Sequence, residues 1–455
     1  MLTFQDFQKA DDKKDFIRQF INYHKSTDLY QTAVVADEYD RHQNRTIRLF
    51  QKLLYDVSGN AVPDNWSPNF KMASKFFNRF VTQENQYLLG NGVSWKNSAT
   101  KSKLGANFDT QLQKAGKKAL CGAVSFGFWN MDHLDVFSVT EFAPMYDEEN
   151  GALMAGVRFW QLDSQKPLRA TLYEVDGYTE YKWDSDNPDG IELVPKRNYM
   201  LKTRTSEADG TEIYAGENYP GFPIVPLWGN SAKQSALVGL REQIDCYDLI
   251  KSGYANTVDE GSLIYWTLNN AGGMDNVDLA QFVQKMRTLH ATTTDDNVKA
   301  ESHSIEVPYE SREALLNKLR NDLYEDAMAL DTKNIANGAA TATQIRAAYE
   351  PLNSKTDEFE YCVNEFLTEI LRIAGIDDEP TFTRSVIVNS QEELQLVIQS
   401  AQFLPDEYIT KKVLTLLGDG DMADDILKAM AAEEIDRDLQ KENEEDEAEA
   451  EEEQE

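Results

Sequence analysis

Asp132 and His133 are the one pair of adjacent residues whose side chains suit proton transfer. A carboxylate beside an imidazole can orient a general base, but such a pair is also an ordinary feature of a surface turn. The segment GAVSFG (122–127) misses the G-x-S-x-G nucleophile elbow by one position and predicts a strand of small residues instead. The sequence contains no G-x-x-x-x-G-K-[ST], G-x-G-x-x-G, H-E-x-x-H or C-x-x-C motif. These observations favour a protein without catalytic residues, and an enzyme using Asp132 and His133 is the weakest alternative.

Two aspartate-rich segments approach the pattern of a calcium-binding loop without fulfilling it. DGDMADDILKAM (419–430) lacks glycine at the sixth position and glutamate at the twelfth. DSDNPDGIELVP (184–195) has Pro188 at a ligand position, so it predicts a hairpin turn. We therefore expect no metal site and no cofactor.

The charge of the chain limits the classes of partner. Its 455 residues include 78 acidic and 45 basic ones, for a net charge of −33. Residues 433–455 contribute 14 acidic and two basic residues, and the rest of the chain is acidic as well. This balance argues against sequence-specific nucleic-acid binding by a basic face, and equally against a polybasic membrane contact. With 41% hydrophobic and 11% aromatic residues, the chain is long enough to bury a substantial core.

The sequence predicts a soluble protein made inside a cell. Charges occupy the N-terminal positions where a signal peptide has its apolar region, and the longest weakly polar run, 120–129, is too short to span a bilayer. Three cysteines lie more than a hundred residues apart, without disulfide or metal spacing, and read as small core residues: Cys121, Cys246 and Cys362.

The first half of the chain divides into a helical part and a β part. Residues 4–121 are mostly helical in pattern, with a helix in the window 71–89 that stops at Gly90-Asn91-Gly92 and another over 107–120. Short β-type runs then predict a meander of hairpins: VSFGFW, VFSVTEF, ALMAGVRFW, ATLYEV, YTEYKW and IELVP. Three prolines are expected to close this β region: Pro220, Pro223 and Pro226.

The second half predicts long helices that carry a small tip. Apolar residues recur every three or four positions over 233–260 and again over 310–330, where Leu316, Leu319, Leu323, Ala327 and Leu330 share a face. Between them lie a β-like run (262–268), a short amphipathic helix (277–289) and a second β-like run (302–308).

After the small and polar stretch 331–340, a third helix extends to Ala374, and Pro351 is expected to kink it. A lone late strand (381–388), helices over 391–441 and a disordered acidic tail complete the chain. The fold class is therefore α+β and predominantly helical. Long paired helices cannot bury both faces within one chain, whereas copies packed side by side in a closed ring can.

Several segments, in this order, resemble the portal proteins, or head-to-tail connectors, of long-tailed double-stranded DNA phages. They are FFNRFVTQENQYLLGNGVSW (76–95), FAPMYDEENGALMAGVRFW (142–160), ENYPGFPIVPLWGNSAKQSALVGLREQIDCYDLIKSGYANTVDE (217–260), SREALLNKLRNDLYEDAMALD (311–331) and TQIRAAYEPLNSKTDEFEYCVNEFL (343–367). The resemblance spans roughly residues 70–375. Its order, with a small tip between two long helices, is more specific than any single segment.

The resemblance implies a portal-type ring subunit with wing, stem, clip and crown regions. Its divisions are the wing at 1–232, a stem helix at 233–260, the clip at 261–308, a second stem helix at 309–331, a tunnel loop at 332–344, the returning kinked helix and a wing strand at 345–389, the crown at 390–441 and the tail at 442–455. The implied DNA-facing residues of the tunnel loop are Lys333, Asn334, Asn337, Gly338, Thr341 and Thr343. The implied docking residues of the clip are Met274, Lys285, Arg287 and His290. Phe282 and Met286 either join this docking surface or simply pack the short helix on its two strands.

One departure from the family pattern makes the end of the loop uncertain. Relatives often have Ser-Gly before the returning helix, where this chain has Thr341-Ala342, and Asn337-Gly338 is the alternative source of flexibility.

The resemblance also implies the function and the partners. The protein would form a ring, usually of twelve subunits, at one capsid vertex, assembled in the host bacterial cytoplasm and retained in the virion. DNA would pass through the channel without sequence specificity during packaging and ejection. The partners would be the terminase large subunit, a head-tail adaptor, and the major capsid and scaffold proteins. The alternative of another class is a non-enzymatic helical adaptor or scaffold of a different assembly.

Overall fold

A computed structural model describes most of the chain. The described residues are 2–55, 59–65, 67–206, 212–261, 265–269, 275, 277–278, 280–282, 284, 299–303, 309–335, 342–385, 397–417, 423 and 426–430. They form two compact units, one made of Met1–Leu330 with Pro351–Ser385 and the other of Asp331–Glu350 with Val386–Glu455. Helices and antiparallel sheets alternate along the chain, so the α+β class is correct. None of the described helices is long and apolar enough to cross a membrane.

The first unit begins with helices whose starts are capped by side chains. The Thr3 side chain accepts from the backbone of Asp6, and Asp12, Thr27 and Asn44 cap the next three helices in the same way. The helices are α1 Phe4–Lys9, α2 Lys13–Ser26, α3 Asp28–Asp40, α4 Arg45–Leu49, α5 Phe76–Leu89, α6 Ser98–Leu104 and α7 Phe108–Gly122. The helical prediction for 4–121 is therefore largely confirmed. The window 71–89 becomes helical only at Phe76, so Met72 lies before the helix and is exposed.

Three short strands interrupt this helical part, and three sheets follow it. The strands are β1 Leu53–Tyr55, β2 Ala61–Pro63, β3 Val93–Trp95, β4 Val124–Asn130, β5 His133–Ser138, β6 Phe142–Tyr146, β7 Leu153–Trp160, β8 Leu168–Glu174, β9 Gly177–Trp183, β10 Ile191–Arg197, β11 Met200–Ser206, β12 Glu212–Glu217 and β13 Ile224–Trp228. Strands β6 to β10 form a five-stranded sheet in which each strand pairs with the next, as the hairpin meander predicted. The run VFSVTEF is not one strand, because residues 139–141 turn the chain between β5 and β6.

Pro226 was wrongly expected to close the β region. It lies inside β13, opposite Phe126 of β4, in a three-stranded sheet of order β13-β4-β5. Strand β13 is at the edge of this sheet, where a residue without an N–H is tolerated.

Two apolar cores hold the first unit together. The larger one joins α5, α7, the β4 sheet and a late helix, and its fully buried side chains include Phe77, Phe126, Phe359 and Phe366. The close approach of Phe366 to β4 requires a glycine, because a Cβ at Gly127 would lie 2.5 Å from the Phe366 ring. The smaller core lies between the N-terminal helices and the five-stranded sheet, with Ile17, Ile21, Val157, Tyr181 and Trp183.

The long helices are shorter than the apolar periodicity predicted. Helix α8, Arg241–Gly261, starts eight residues after the predicted position 233, because Gly239 has φ +86° and the preceding segment forms turns. Helix α9, Tyr309–Asp326, ends before Leu330, and Met328 has φ +51°. The remaining helices are α10 Thr332–Ile335, α11 Ala342–Ala374 and α12 Asp406–Leu417, with a 3-10 turn at Ala401–Phe403.

The predicted tip and late strand are both present in part. Strand β14, Tyr265–Asn269, pairs antiparallel with β15, Lys299–His303, which begins three residues before the predicted run. Strand β16, Pro380–Phe382, pairs antiparallel with β3, so it is not isolated. Of the predicted helical region 391–441, the structure describes residues 397–417, 423 and 426–430, which are mostly helical. The tail 442–455 lies outside the described residues.

The cysteine prediction is right for one residue and wrong for another. Cys362 is buried and Cys121 is half-buried, but Cys246 is exposed on α8. Cys246 is therefore not a core residue.

Candidate functional site

One face of α8 is polar, buried and occupied by an extended segment of the same chain. Asp248, Ser252 and Asn256 are four residues apart, so they lie on one face about 6 Å from each other along the helix axis. Alternate residues of an extended chain are separated by about 6.6 Å, which matches this spacing. The side chains accept backbone N–H groups in three pairs: Ser74 to Asp248 at 2.9 Å, Met72 to Ser252 at 3.0 Å, and Phe70 to Asn256 at 2.7 Å. The helix thus takes the place of a sheet partner for residues 70–74.

Asp248 also binds the chain on the other side of the β1–β2 hairpin. Its second carboxylate oxygen accepts from Nδ2 of Asn44 at 2.9 Å, and the carboxylate is fully buried. Burial raises the pKa of Asp248, and the hydrogen bonds from Asn44 and Ser74 oppose this rise. One carboxylate therefore fixes both ends of the segment that runs from residue 44 to residue 74.

Asp245, one turn earlier on α8, extends this polar network. It accepts from Oγ1 of Thr46 at 2.8 Å and from the hydroxyl of Tyr39. Burial, together with the Asp245 carboxylate, raises the pKa of Tyr39 to about 12. The hydroxyl therefore stays protonated and donates at neutral pH.

The opposite face of α8 packs on α9, and the two helices run antiparallel. Gln243 near the start of α8 binds Asp326 at the end of α9, while Thr257 near the end of α8 accepts from Arg312 at 2.8 Å. Within the apolar stripe predicted over 310–330, Leu323, Ala327 and Leu330 are buried and Leu316 and Leu319 are half-buried. The stripe is confirmed, although its last two residues lie beyond the helix.

A buried ion pair fixes α11 to α5. The Glu84 carboxylate is 2.7 Å from Nζ of Lys355, and Lys355 also donates to the carbonyl of Ala327 at 3.3 Å. Burial raises the pKa of Glu84, while Lys355 opposes the rise. The pair borders a cavity of about 420 Å³, beside which Glu358 accepts from the backbone of Ser231 at 2.8 Å. These contacts join α5 and α11 to the turns at Ala327 and Ser231, which is a structural role.

The predicted clip residues fall mostly outside the described residues. Met274, Lys285, Arg287 and His290 all do, as does Met286. Phe282 is described and buried, which agrees with its packing on the tip. The role of the clip as a docking surface stays a prediction.

The predicted tunnel loop is described at its two ends. Lys333 and Asn334 lie in α10, where the backbone N–H of Lys333 donates to Asp331 at 3.1 Å and the Lys333 side chain is exposed. Asn337, Gly338 and Thr341 lie outside the described residues. Thr343 is the second residue of α11, so the predicted loop end at 344 was too late.

Pro351 lies inside α11, as predicted, and is exposed. The division between the two compact units falls between Glu350 and Pro351. The kink itself stays a prediction.

Asp132 and His133 are part of a surface turn. His133 Nδ1 is 2.7 Å from Asp132, and both side chains are exposed. The hydrogen bond from His133 lowers the pKa of Asp132. Within the described residues, no group of three or more His, Cys, Asp and Glu side chains could hold a metal ion. Residues 184–190 form the turn between β9 and β10, as predicted, and residues 191–195 belong to β10.

The polar face of α8 was missed from the sequence. Its only local signal is the spacing of Asp248, Ser252 and Asn256, which is equally typical of a solvated helix face. The partner segment lies about 180 residues away, so no local pattern links the two.

Comparison with known proteins gives a family match over most of the chain. The sequence model of the family described as phage portal protein, SPP1 Gp6-like, matches residues 13–449. The portal protein of Clostridium phage phiCD119 is 27% identical over 211 residues, which are 44% of this chain and 46% of that protein. The portal protein of Bacillus phage SPP1 is 23% identical over 394 residues, which are 77% of this chain and 73% of that protein.

Solved structures of gene transfer agent particles also resemble the chain. A chain in the neck of an empty particle, computed with C6 symmetry, has 10% identity and a TM-score of 0.44, with 75% of this chain and 90% of that chain covered. A chain in the neck of a native particle, computed with C12 symmetry, has 11% identity and a TM-score of 0.42, with 74% and 89% covered.

Proposed function

Because this chain belongs to the phage portal protein family of the SPP1 Gp6-like type, we propose that it forms the ring-shaped DNA channel at one capsid vertex. The genome is packaged through this ring and later ejected through it, and the ring remains in the virion as the connector between head and tail. The match over residues 13–449 is the observation that carries this proposal.

The proposed regions follow the described elements where these are known. Helices α8 and α9 form the stem, in place of the longer segments 233–260 and 309–331 expected from the sequence. The strands β14 and β15 belong to the clip, and α11 returns from the tunnel loop to the wing. The crown comprises the helices of 390–441.

The acidic composition supports a channel through which DNA slides. Each firm contact between a phosphate and a lysine or arginine adds a salt-dependent brake on movement. A chain of net charge −33 offers few such contacts and repels the duplex on average. In this proposal the ring does no ATP chemistry of its own, which belongs to the terminase motor.

The partners in the proposal are of four kinds. The clip docks the terminase large subunit during packaging and the head-tail adaptor afterwards, through the surface that carries Lys285, Arg287, Met274 and His290. The wing meets the major capsid and scaffold proteins. Double-stranded DNA passes the tunnel loop without sequence specificity.

The mass of the purified protein tests the ring directly. Light scattering should give about twelve times the 51.7 kDa of one chain, and negative-stain images should show an annulus. A helical adaptor or scaffold would instead be a monomer or dimer without a central hole. A sample that stays monomeric at tens of micromolar, over a range of salt concentrations and without aggregation, contradicts the proposal.

A further inference from the structure

Residues 49–72 expose a concentration of large apolar side chains, and we call their described part, 49–55, 61–63 and 67–72, the strap. Leu49 and Tyr55 are each 75% exposed, and Leu53 is 54% exposed. The other exposed apolar side chains of the strap are Phe50, Leu54, Val62, Phe70 and Met72. Single exposed apolar residues need no explanation, but a cluster of this kind marks an interaction surface.

The centre of the strap is a two-stranded hairpin with no third strand beside it among the described residues. Strands β1 and β2 pair antiparallel, with Leu54 opposite Val62, and all six of their residues are exposed. An isolated two-stranded hairpin is marginally stable in water. A partner that covers the apolar side chains would stabilise it.

The strap is held in place before any partner binds. The Asp248 carboxylate fixes both its approaches, through Asn44 and Ser74. Across its base, Nζ of Lys71 donates to the carbonyl of Arg48 at 2.7 Å, and the backbone N–H of Asp64 donates to Lys52 at 2.9 Å. A preorganised surface loses less entropy on binding than a flexible one.

The charge of this region is opposite to that of the chain as a whole. Residues 48–75 contain four lysines and arginines and two aspartates, whereas the chain has 78 acidic and 45 basic residues. A basic apolar surface complements an acidic one, and every further copy of this chain supplies an acidic surface.

Helix α8 lies between the strap and α9. Asp248, Ser252 and Asn256 hold the strap, while Gln243, Thr257 and Tyr254 meet α9. Successive side chains of an α-helix are rotated by about 100° around the helix axis, so these two sets lie on faces of α8 about 180° apart. The order strap, α8, α9 therefore places the strap and α9 on opposite sides of α8.

The strap and α9 also lie at the same level along α8. Asn256 holds Phe70, and the next residue, Thr257, binds Arg312 of α9, so strap and α9 meet α8 at the same level. Near that level α9 exposes Tyr309 (57%), with the acidic Glu310 and Glu313 beside it, whereas Leu315 (44%) is exposed on a different side of the helix.

We propose that the strap of each subunit docks on the exposed face of α9 that carries Tyr309 and Glu313, in the neighbouring copy. The contact is heterologous, since different surfaces of the two copies meet, and it can therefore repeat around a ring. The inference rests on the proposed ring, and it adds which surfaces of the subunits meet.

Two glutamate substitutions on the hairpin test the docking. L53E with Y55E places negative charge on exposed strap positions facing an acidic partner surface, so the ring should need at least tenfold more protein to form. The matched control is L162E, because Leu162 is an exposed apolar residue in the turn between β7 and β8 (89% exposed). Circular dichroism should show the same unfolding temperature, within about 2 °C, for both variants diluted to monomer. A ring that assembles equally well with L53E and Y55E overturns the docking while leaving the ring proposal intact.

A photo-crosslink identifies the occupant. With p-benzoylphenylalanine at position 55, irradiation should give products at multiples of 51.7 kDa, and mass spectrometry of mixed isotope-labelled and unlabelled chains should place the link within residues 309–326 of another copy. A link within one chain, or to another part of the second copy, overturns the assignment. If the unmodified protein forms no ring at all, the proposed function fails as well, so the two failures are distinguishable.

Discussion

At the scale of single residues, Asp248 is the acid on which the strap's attachment depends. Its two oxygens each accept one hydrogen bond, from Asn44 and from the backbone of Ser74. In D248N one oxygen becomes an NH2 donor that faces a donor. We expect the free energy of unfolding to fall by about 1–3 kcal/mol, measured by urea denaturation below the assembly concentration. The control E242Q, at an exposed position of α8, should change it by less than about 0.5 kcal/mol.

The same residue should give stability a definite pH dependence. Burial raises the pKa of Asp248 above its ordinary value of 3.8. Because the pKa of Asp248 is higher in the folded protein, the contribution of its carboxyl group to the free energy of unfolding is fully present below pH 3.8. This contribution is lost as the pH rises through the pKa of the folded protein. The difference in unfolding free energy between the natural protein and D248N should therefore be larger at pH 4 than at pH 7. A difference that grows with pH would show that hydrogen bonding outweighs burial.

Lys333 is the residue of the tunnel-loop segment that can attract phosphate. Repeated around a ring, its ammonium would form a weak positive collar in an acidic channel, whose contacts weaken with salt and exchange quickly. We expect K333E to preserve ring assembly but to reduce the DNA packaged or retained, measured as filled particles per capsid. K333R keeps the charge and should behave like the natural protein. Normal filling with K333E would mean that the loop acts by its shape alone.

At the scale of elements, apolar periodicity located the helices but not their ends. Leu237 and Leu240 before α8, and Ala327 and Leu330 after α9, are all buried although none is helical. The periodic pattern therefore continues past each helix, because turns can bury the same side chains. Backbone torsions such as the positive φ of Met328 are set by packing and leave no trace in hydrophobicity.

The strap shows what a sequence pattern cannot supply. Its strands β1 and β2 are three residues long, and its approach at 70–74 is stabilised by side chains of α8. Local propensity is weak in such short strands, and the hydrogen bonds link positions about 180 residues apart. The sequence therefore predicted the helix that carries the candidate site, but not the polar face of that helix. The contacts of Asp248, Ser252 and Asn256 with the strap are visible only in the structure.

The clip is an element whose function charge reversal can test. Lys285 and Arg287 belong to the segment proposed to dock the terminase, away from the stem helices in sequence. K285E and R287E should leave the ring intact and lower packaging by the motor, measured as DNA protected from nuclease. The control K166E reverses an exposed lysine in the turn between β7 and β8 and should have no effect. Unchanged packaging with both clip variants would move the docking face elsewhere in the tip.

At the scale of the whole molecule, the order of the helices and strands along the chain indicated the family better than any single motif. The succession of helices, hairpins, tip and returning helix pointed to the portal family, and the match over residues 13–449 confirms the family. Single residues were less predictable, because the proposed channel, through which DNA slides, needs no fixed constellation of side chains. The assignments of Lys333 and of the clip residues therefore stay predictions.

The acidic tail should tune assembly without being needed for it. Residues 442–455 contain ten acidic residues, no basic ones and no large apolar side chain, so they have no surface whose burial could offset the entropy of ordering them. Copies of net charge −33 repel one another, and salt screens this repulsion. Deleting 442–455 should therefore leave the ring intact and allow it to form at lower salt than the full chain, measured by light scattering across a salt series.

The control deletes the uncharged pair 61–62 from the hairpin and so removes no charge. If the strap docks as proposed, this deletion should raise the protein concentration that assembly needs at every salt concentration. Loss of the soluble ring on removing the tail would show that these carboxylates contribute to the structure. An unchanged salt requirement would show that repulsion among the folded parts, rather than among the tails, limits assembly.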